Sequence, residues 1–282
     1  MSAPVAVGGD LDFSTLAGTL YKFKQADGAI ISAKQVRATS SPVVAGKDIF
    51  YTKRTDGEKQ ADHEGIANQD GDTGRLKRVV QARKAPNVDP QVQQGVKLAD
   101  QAKALDWGNG FAGGAPAQAN AGPAFGNTGQ TFVNSLQAYR GSRVMSWDGY
   151  NYACPGGDQL IYTNARSGKA VWKFKLEGDL QKERGSLAAP PVAAGGQVFL
   201  STLKGEVLQL DPKKGTVNHR YKISSPTRFQ PTVVDGRIYV GTQDVRLVCV
   251  DTGDKRHTGW SIWGTNAART GTVDALARTG GK

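Results

Sequence analysis

The run Asp70-Gly71-Asp72-Thr73-Gly74 sets carboxylate and hydroxyl oxygens at short intervals, the donor set of a calcium loop. An EF-hand loop also needs a bidentate acid at about its twelfth position. Counted from Asp70 that position is Gln81, so the run reads as a turn between strands. Gly108-Asn109-Gly110-Phe111-Ala112-Gly113 has the glycine spacing of a dinucleotide loop. Such a loop must follow a strand and open a helix, whereas this one follows a helical pattern inside a glycine- and alanine-rich stretch. Asp62-His63-Glu64 groups metal-ligating types, but a zinc site gathers about four ligands, and the other histidines, His219 and His257, are remote in sequence. With 3 histidines and no Gly-x-Ser-x-Gly elbow, a nucleophilic triad has little support. Cys154 and Cys249 are the 2 cysteines, and their spacing leaves open whether they pair.

The sequence therefore assigns no catalytic, cofactor-binding or metal-binding residue. The candidate residues are contact residues: Trp147, Tyr150 and Tyr152 in one cluster, and Trp260 and Trp263 near the end. Aromatic side chains anchor interfaces; the competing role is to fill gaps between sheets. The net charge is +11, which favours acidic partners in general. Its densest stretch, Gly74 to Lys84, has no interleaved aromatic side chains, so nucleic-acid binding is not expected. No apolar run approaches the roughly 20 residues that cross a bilayer as a helix. Met1-Ser2-Ala3-Pro4-Val5 has neither the basic nor the apolar region of a signal peptide.

The elements that must position these residues come from an internal repeat. Pro191-Val192-Ala193-Ala194-Gly195-Gly196, the strand pattern Gln197 to Thr202 and the run Glu206 to Asp211 recur 40 residues later, from Pro231 to Asp251, without a gap. Shifted back by 187, Pro4 to Gly28 repeats Pro191 to Gly215 with identities at Pro4, Val5, Ala6, Gly8, Gly9, Ser14, Thr15, Leu16, Gly18 and Gly28. Another copy starts at Ser41-Pro42-Val43-Val44-Ala45-Gly46. Gly8-Gly9, Gly195-Gly196 and Asp235-Gly236 are hairpin signals, because a type I′ turn needs positive φ at both central residues. Four short antiparallel strands in about 40 residues make a propeller blade. One blade cannot bury both faces, so blades must stack around an axis.

The pattern resembles the quinoprotein-type (PQQ-like) propeller repeat family, in its BamB-like branch. Leu160 to Phe174 carries the most specific segment, Gly168-Lys169-Ala170-Val171-Trp172. The resemblance implies that Trp172 docks against the neighbouring blade; Ser32 and His219 occupy the equivalent spots. Gly259 to Gly271 resembles the Trp-Gly-x-Asn-x-x-x-Thr element at the ends of such propellers.

The expected fold is all-β, a propeller of four-stranded antiparallel blades at about 2–38, 39–82, 131–180, 181–227 and 228–257, with a tail at 258–282. Residues 83–130 form an insertion: Asp89 and Pro90 start a helix over Gln91 to Leu105, and a long loop follows. Such rings close with about seven or eight blades, so the expectation is an incomplete ring; the competing one is a closed ring of five, completed by Trp260 to Thr270. The resemblance implies a non-enzymatic scaffold for a protein or other macromolecule, outside the cytoplasm in the periplasm or beyond. Its alternatives are a carbohydrate-binding or sensor module, and a quinone-dependent oxidoreductase holding PQQ and calcium. The oxidoreductases of the family use adjacent cysteines, and Cys154 and Cys249 are far apart.

Overall fold

A computed structural model describes residues 4–15, 18–57, 60–84, 143–183, 186–259 and 272–273. The fold is all-β, built from propeller blades. Blade 1 is β1 (Val5–Val7), β2 (Asp10–Ser14), β3 (Thr19–Lys24) and β4 (Ile30–Gln35). Blade 2 is β5 (Val43–Ala45), β6 (Asp48–Gly57), β7 (Gln60–Asp70) and β8 (Leu76–Lys84). Blade 3 is β9 (Met145–Trp147), β10 (Tyr150–Ala153), β11 (Gln159–Asn164) and β12 (Ala170–Lys175), and a single helical turn, α1 (Leu180–Glu183), follows it. Blade 4 is β13 (Val192–Ala194), β14 (Gln197–Thr202), β15 (Glu206–Leu210) and β16 (Val217–Lys222). Blade 5 is β17 (Thr232–Val234), β18 (Arg237–Gly241) and β19 (Leu247–Asp251). Each is an antiparallel meander in chain order. The insertion helix and loop expected over 83–130 lie beyond β8, outside the described residues.

The turns follow from the backbone. Gly8-Gly9, Gly195-Gly196, Asp235-Gly236 and Asp148-Gly149 all have positive φ at both residues and join strands in two-residue hairpins, as type I′ geometry requires. The turns between third and fourth strands are a second fixed device. The N–H of Gly28, Gly74, Gly168 and Gly215 donates to the carbonyl four residues earlier, on Lys24, Asp70, Asn164 and Asp211. Immediately after, each third–fourth strand pair carries a β-bulge at the same register position, which adds twist.

First strands are innermost: β1 touches β5, β5 touches β9, and β13 touches β17. The apolar core lies in the seams between sheets. One cluster joins blades 1 and 2 around Val5, Leu20, Ile49 and Tyr51, and a second joins blades 2 and 3 around Val43, Phe50, Ile66 and Ala153. A third runs through blades 3, 4 and 5. Each blade thus completes its neighbour, as the repeat predicts.

Blade 5 departs from four strands, with three among the described residues. The chain after β19 turns back instead of pairing alongside it. Gly236 N donates to His257 O and Gly195 N to Thr258 O, each at 2.9 Å, so this segment caps the hairpins of blades 4 and 5. Further on, β20 (Thr272–Val273) adds to the inner edge of blade 3, parallel to β9. Among the described residues no strand pairs β1 with the end of the chain.

Candidate functional site

Strand pairing aligns one row of side chains across each blade, facing the next blade along. In blade 3 the row is Met145, Tyr152, Tyr162 and Trp172. In blade 1 it is Val5, Asp12, Lys22 and Ser32; in blade 2, Val43, Phe50, Asn68 and Arg78; in blade 4, Val192, Phe199, Gln209 and His219. The outer residue of the row is the tryptophan position of the repeat.

Trp147, Tyr150 and Tyr152 come together here. The Tyr152 ring stacks on Tyr162 at 4.5 Å and meets Trp147 at 6.2 Å and Trp172 at 6.0 Å, while Tyr150 lies 4.7 Å from Tyr162. Offset and edge packing of this kind stabilises a seam beyond the area it buries. Tyr152 is buried, whereas Trp147 and Tyr150 are half-buried on either side of the Asp148-Gly149 turn. Trp172 docks on blade 4: its Nε1 donates to Pro212 O at 3.0 Å, and its ring lies over Gly215, where an added Cβ would stand 2.6 Å from Cδ2. Trp260 and Trp263 lie outside the described residues.

The other seams fill the same place with other chemistry. At seam 2/3, Val80 covers the Gly168 turn, Arg78 Nη2 reaches Ala165 O at 3.5 Å and Gln81 Nε2 donates to Gly168 O at 3.2 Å. Arg83 grips Asp158 bidentately at 2.8 and 2.5 Å, and that carboxylate in turn raises the guanidinium pKa. Within the basic stretch Arg78 and Arg83 thus dock blade 3, whereas Lys77 pairs with Asp48 and Asp70 inside blade 2. Glu64 ties the same seam from within. Buried on β7, it accepts from Gly156 N at 2.9 Å and from Thr39 Oγ1 in the linker between blades 1 and 2.

Seam 1/2 is polar. Asp12 is 1% exposed, its Oδ2 is 3.9 Å from Lys22 Nζ and its Oδ1 has no hydrogen-bond partner. Burial pushes the Asp12 carboxyl up to about 6, against the pull of Lys22. A cavity of about 280 Å³ separates this row from Ile49, Gln69 and the Gly71 to Gly74 turn of blade 2. None of this was read from sequence; the usable signal was the row offset, which puts Ser32 opposite Lys22.

The opposite face of blade 1 carries Phe13, Tyr21 and Phe23, stacked pairwise at 5.4 to 5.8 Å. Their register equivalents, Ala153, Ile161 and Thr163 in blade 3 and Leu200, Leu208 and Leu210 in blade 4, are all buried, whereas the blade 1 rings are half-exposed and Ile30 beside them is 54% exposed.

The remaining motifs resolve as structure. Asp70 Oδ1 accepts from Asp72 N, Thr73 N and Thr73 Oγ1 within its own turn, and with Lys77 these bonds hold its carboxyl far below the usual range. Asn164 and Asp211 make the same turn in blades 3 and 4. His257 is buried against Phe199, with Nδ1 3.0 Å from Thr252 Oγ1. His219 packs on Tyr221 at 4.3 Å, and His63 lies on β7. Among the described residues no three His, Cys, Asp or Glu side chains are grouped to hold a metal. Cys154 is buried and Cys249 exposed, and they do not pair; burial drives the Cys154 thiol well above its usual range. Among the described residues no helix is long and apolar enough to cross a membrane. The glycine motif at 108–113 lies outside the described residues.

A family described as outer membrane protein assembly factor BamB matches residues 104–280. No curated protein matches the chain. Among solved structures, BamB from Moraxella catarrhalis gives a TM-score of 0.54 at 13% identity, over 88% of this chain and 56% of that one. A computationally designed protein, Ika8, gives 0.54 at 10% identity, over 88% of this chain and 57% of its own. The present chain thus spans little more than half the length of either, and at such identities the likeness speaks for the fold.

Proposed function

The chain belongs to the outer membrane protein assembly factor BamB family, and from that premise we propose that it is a propeller scaffold that binds a protein partner without chemistry of its own, outside the cytoplasm. The observation that supports this reading is the aromatic pair Trp147 and Tyr150, half-buried on either side of the Asp148-Gly149 hairpin of blade 3. Aromatic rings lose little conformational entropy on contact and anchor protein interfaces.

A photo-crosslinking residue in place of Tyr150, used in the host cell envelope, tests it. A discrete protein adduct is expected, lost on Trp147→Asp and retained on Lys255→Asp, which changes an exposed turn after β19. Failure to crosslink, or adducts indifferent to Trp147→Asp, refutes the contact. A quinone absorbance band in the purified chain, with dye-linked alcohol oxidation, would instead establish the oxidoreductase.

A further inference from the structure

The turn between third and fourth strands keeps one backbone form from blade to blade, but its side chains change sign. In blade 2 it carries Asp72 and Thr73, and its acids are matched within the blade, Asp72 by Lys47 and Asp70 by Lys77. In blade 3 the same positions carry Arg166 and Ser167, with Lys169 just beyond the glycine, and the residue that caps the turn is the neutral Asn164. In blade 4 they carry Lys213 and Lys214, and the capping Asp211 uses Oδ1 to accept from the N–H groups of both lysines. Arg166, Lys169, Lys213 and Lys214 are exposed, and among the described residues no ion pair holds any of them.

These two cationic turns flank Trp147 and Tyr150. Ala165 N donates to Gly149 O at 2.9 Å, which sets the Arg166 turn against the Asp148-Gly149 hairpin. From blade 4, Pro212 O accepts from Trp172 Nε1 at 3.0 Å and from the Tyr152 hydroxyl at 3.4 Å, which sets the Lys213 turn against the aromatic cluster that includes Trp147 and Tyr150. Asp148 stands exposed at the hairpin tip, a single carboxylate between two cationic turns. The aromatic pair is half-buried and does not protrude, so it is not placed to sink into a bilayer. An apolar centre inside a charged rim is instead the anatomy of a protein interface.

We propose that the partner bound at Trp147 and Tyr150, on the protein-binding reading given above, presents an acidic surface, with carboxylates set against Arg166 and Lys169 on one side and Lys213 and Lys214 on the other. The two parts of the face do different work. The aromatic pair supplies contact area, while the exposed cations, screened by water and salt, supply attraction at a distance and turn away basic surfaces.

The crosslinker at Tyr150, carried by the full chain in the host cell envelope, reads adduct yield in charge-reversed variants. Arg166→Glu with Lys169→Glu, and Lys213→Glu with Lys214→Glu, should each lower the yield about tenfold or more. Lys173→Glu with Lys175→Glu makes the same change of net charge and should leave the yield unchanged. Both residues are exposed on β12 and alternate with Trp172, so they point to the other face of the blade. Exposed positions tolerate such changes, and thermal melts matching the wild type exclude misfolding; if one turn pair does not fold, the other decides. Peptide mapping should place the crosslink in a segment of the partner with more Asp and Glu than Lys and Arg. A protein adduct that survives the turn reversals, falls equally in the β12 variant or maps to a basic segment overturns the acidic partner and leaves protein binding standing. An adduct to lipid, or none with the cations intact, overturns the protein-binding reading and the acidic partner with it.

Discussion

Removing the ring of Trp172 should loosen blades 3 and 4, and Gly215 makes the effect separable from general damage. Truncating a core Trp or Phe to Ala costs about 3–5 kcal/mol, and the bond from Nε1 to Pro212 O adds about 1 kcal/mol net. Trp172 is only half-buried, so Trp172→Ala is expected to cost about 3 kcal/mol. Gly215→Ala has two costs. Its φ of +71° lies in the left-handed region, worth about 1 kcal/mol for a residue with Cβ. The new Cβ would also stand 2.6 Å from Trp172 Cδ2 and 2.7 Å from Cε3, and overpacking of this kind costs about 1–3 kcal/mol. The second cost exists only while the indole is there. Gly215→Ala should therefore cost about 3 kcal/mol in the wild type and about 1 kcal/mol in Trp172→Ala, a coupling of about 2 kcal/mol. Urea midpoints of the four proteins, at unchanged slope, measure it. Strict additivity of the two substitutions would show that the ring does not bear on the glycine turn.

Asp12→Asn should stabilise the chain in a pH-dependent way. The folded carboxyl titrates near 6 against an ordinary 3.8, so the folded state holds the proton more tightly, and wild-type stability falls as pH rises from about 4 to about 6. The Asn variant should gain up to about 3 kcal/mol above pH 6 and little below pH 4; an equal gain at both ends of thermal melts across that range would rule out buried charge as the cause. Glu64→Ala should cost about 2 kcal/mol, since it strands the Gly156 N–H, while the Thr39 hydroxyl keeps Thr52 Oγ1 at 3.0 Å. Hydrogen exchange should accelerate at Gly156, and unchanged protection there would show that Glu64 does not tie blade 3 to blade 2.

Hairpins and turns were legible because each depends on a few local residues. Glycine pairs and Asp-Gly announce positive φ, and the structure has it at Gly8, Gly195 and Asp235. Trp172 was legible because the glycine four residues before it fixes its place in the bulged outer pair. Blade 1 was not. Its second strand reads Asp10-Leu11-Asp12-Phe13-Ser14, and alternation alone would turn Phe13 inward and Asp12 to solvent. The fold does the reverse, burying Asp12 and Ser14 while Phe13 stays half-exposed. Hairpin register and the preserved glycines hold the strand in place, and the side chains follow. Val245 makes the same point: forty residues after Gly205 it adopts φ of +64° although β-branched residues resist that region. The ties to blade 3 were hidden for another reason, because Gly156 lies 92 residues from Glu64 and Asp158 lies 75 from Arg83.

In the four glycine turns the glycine N–H bonds back to a carbonyl four residues earlier, and the side chains that help in three of them, Asp70, Asn164 and Asp211, lie outside the row. Shape is thereby delegated to the main chain, and the row residues become free to diverge. An ancestor of this protein could have exchanged tryptophan for arginine, histidine or serine at one joint while the other joints kept their fit. Duplication then yields a series of dissimilar crevices, each open to its own selection.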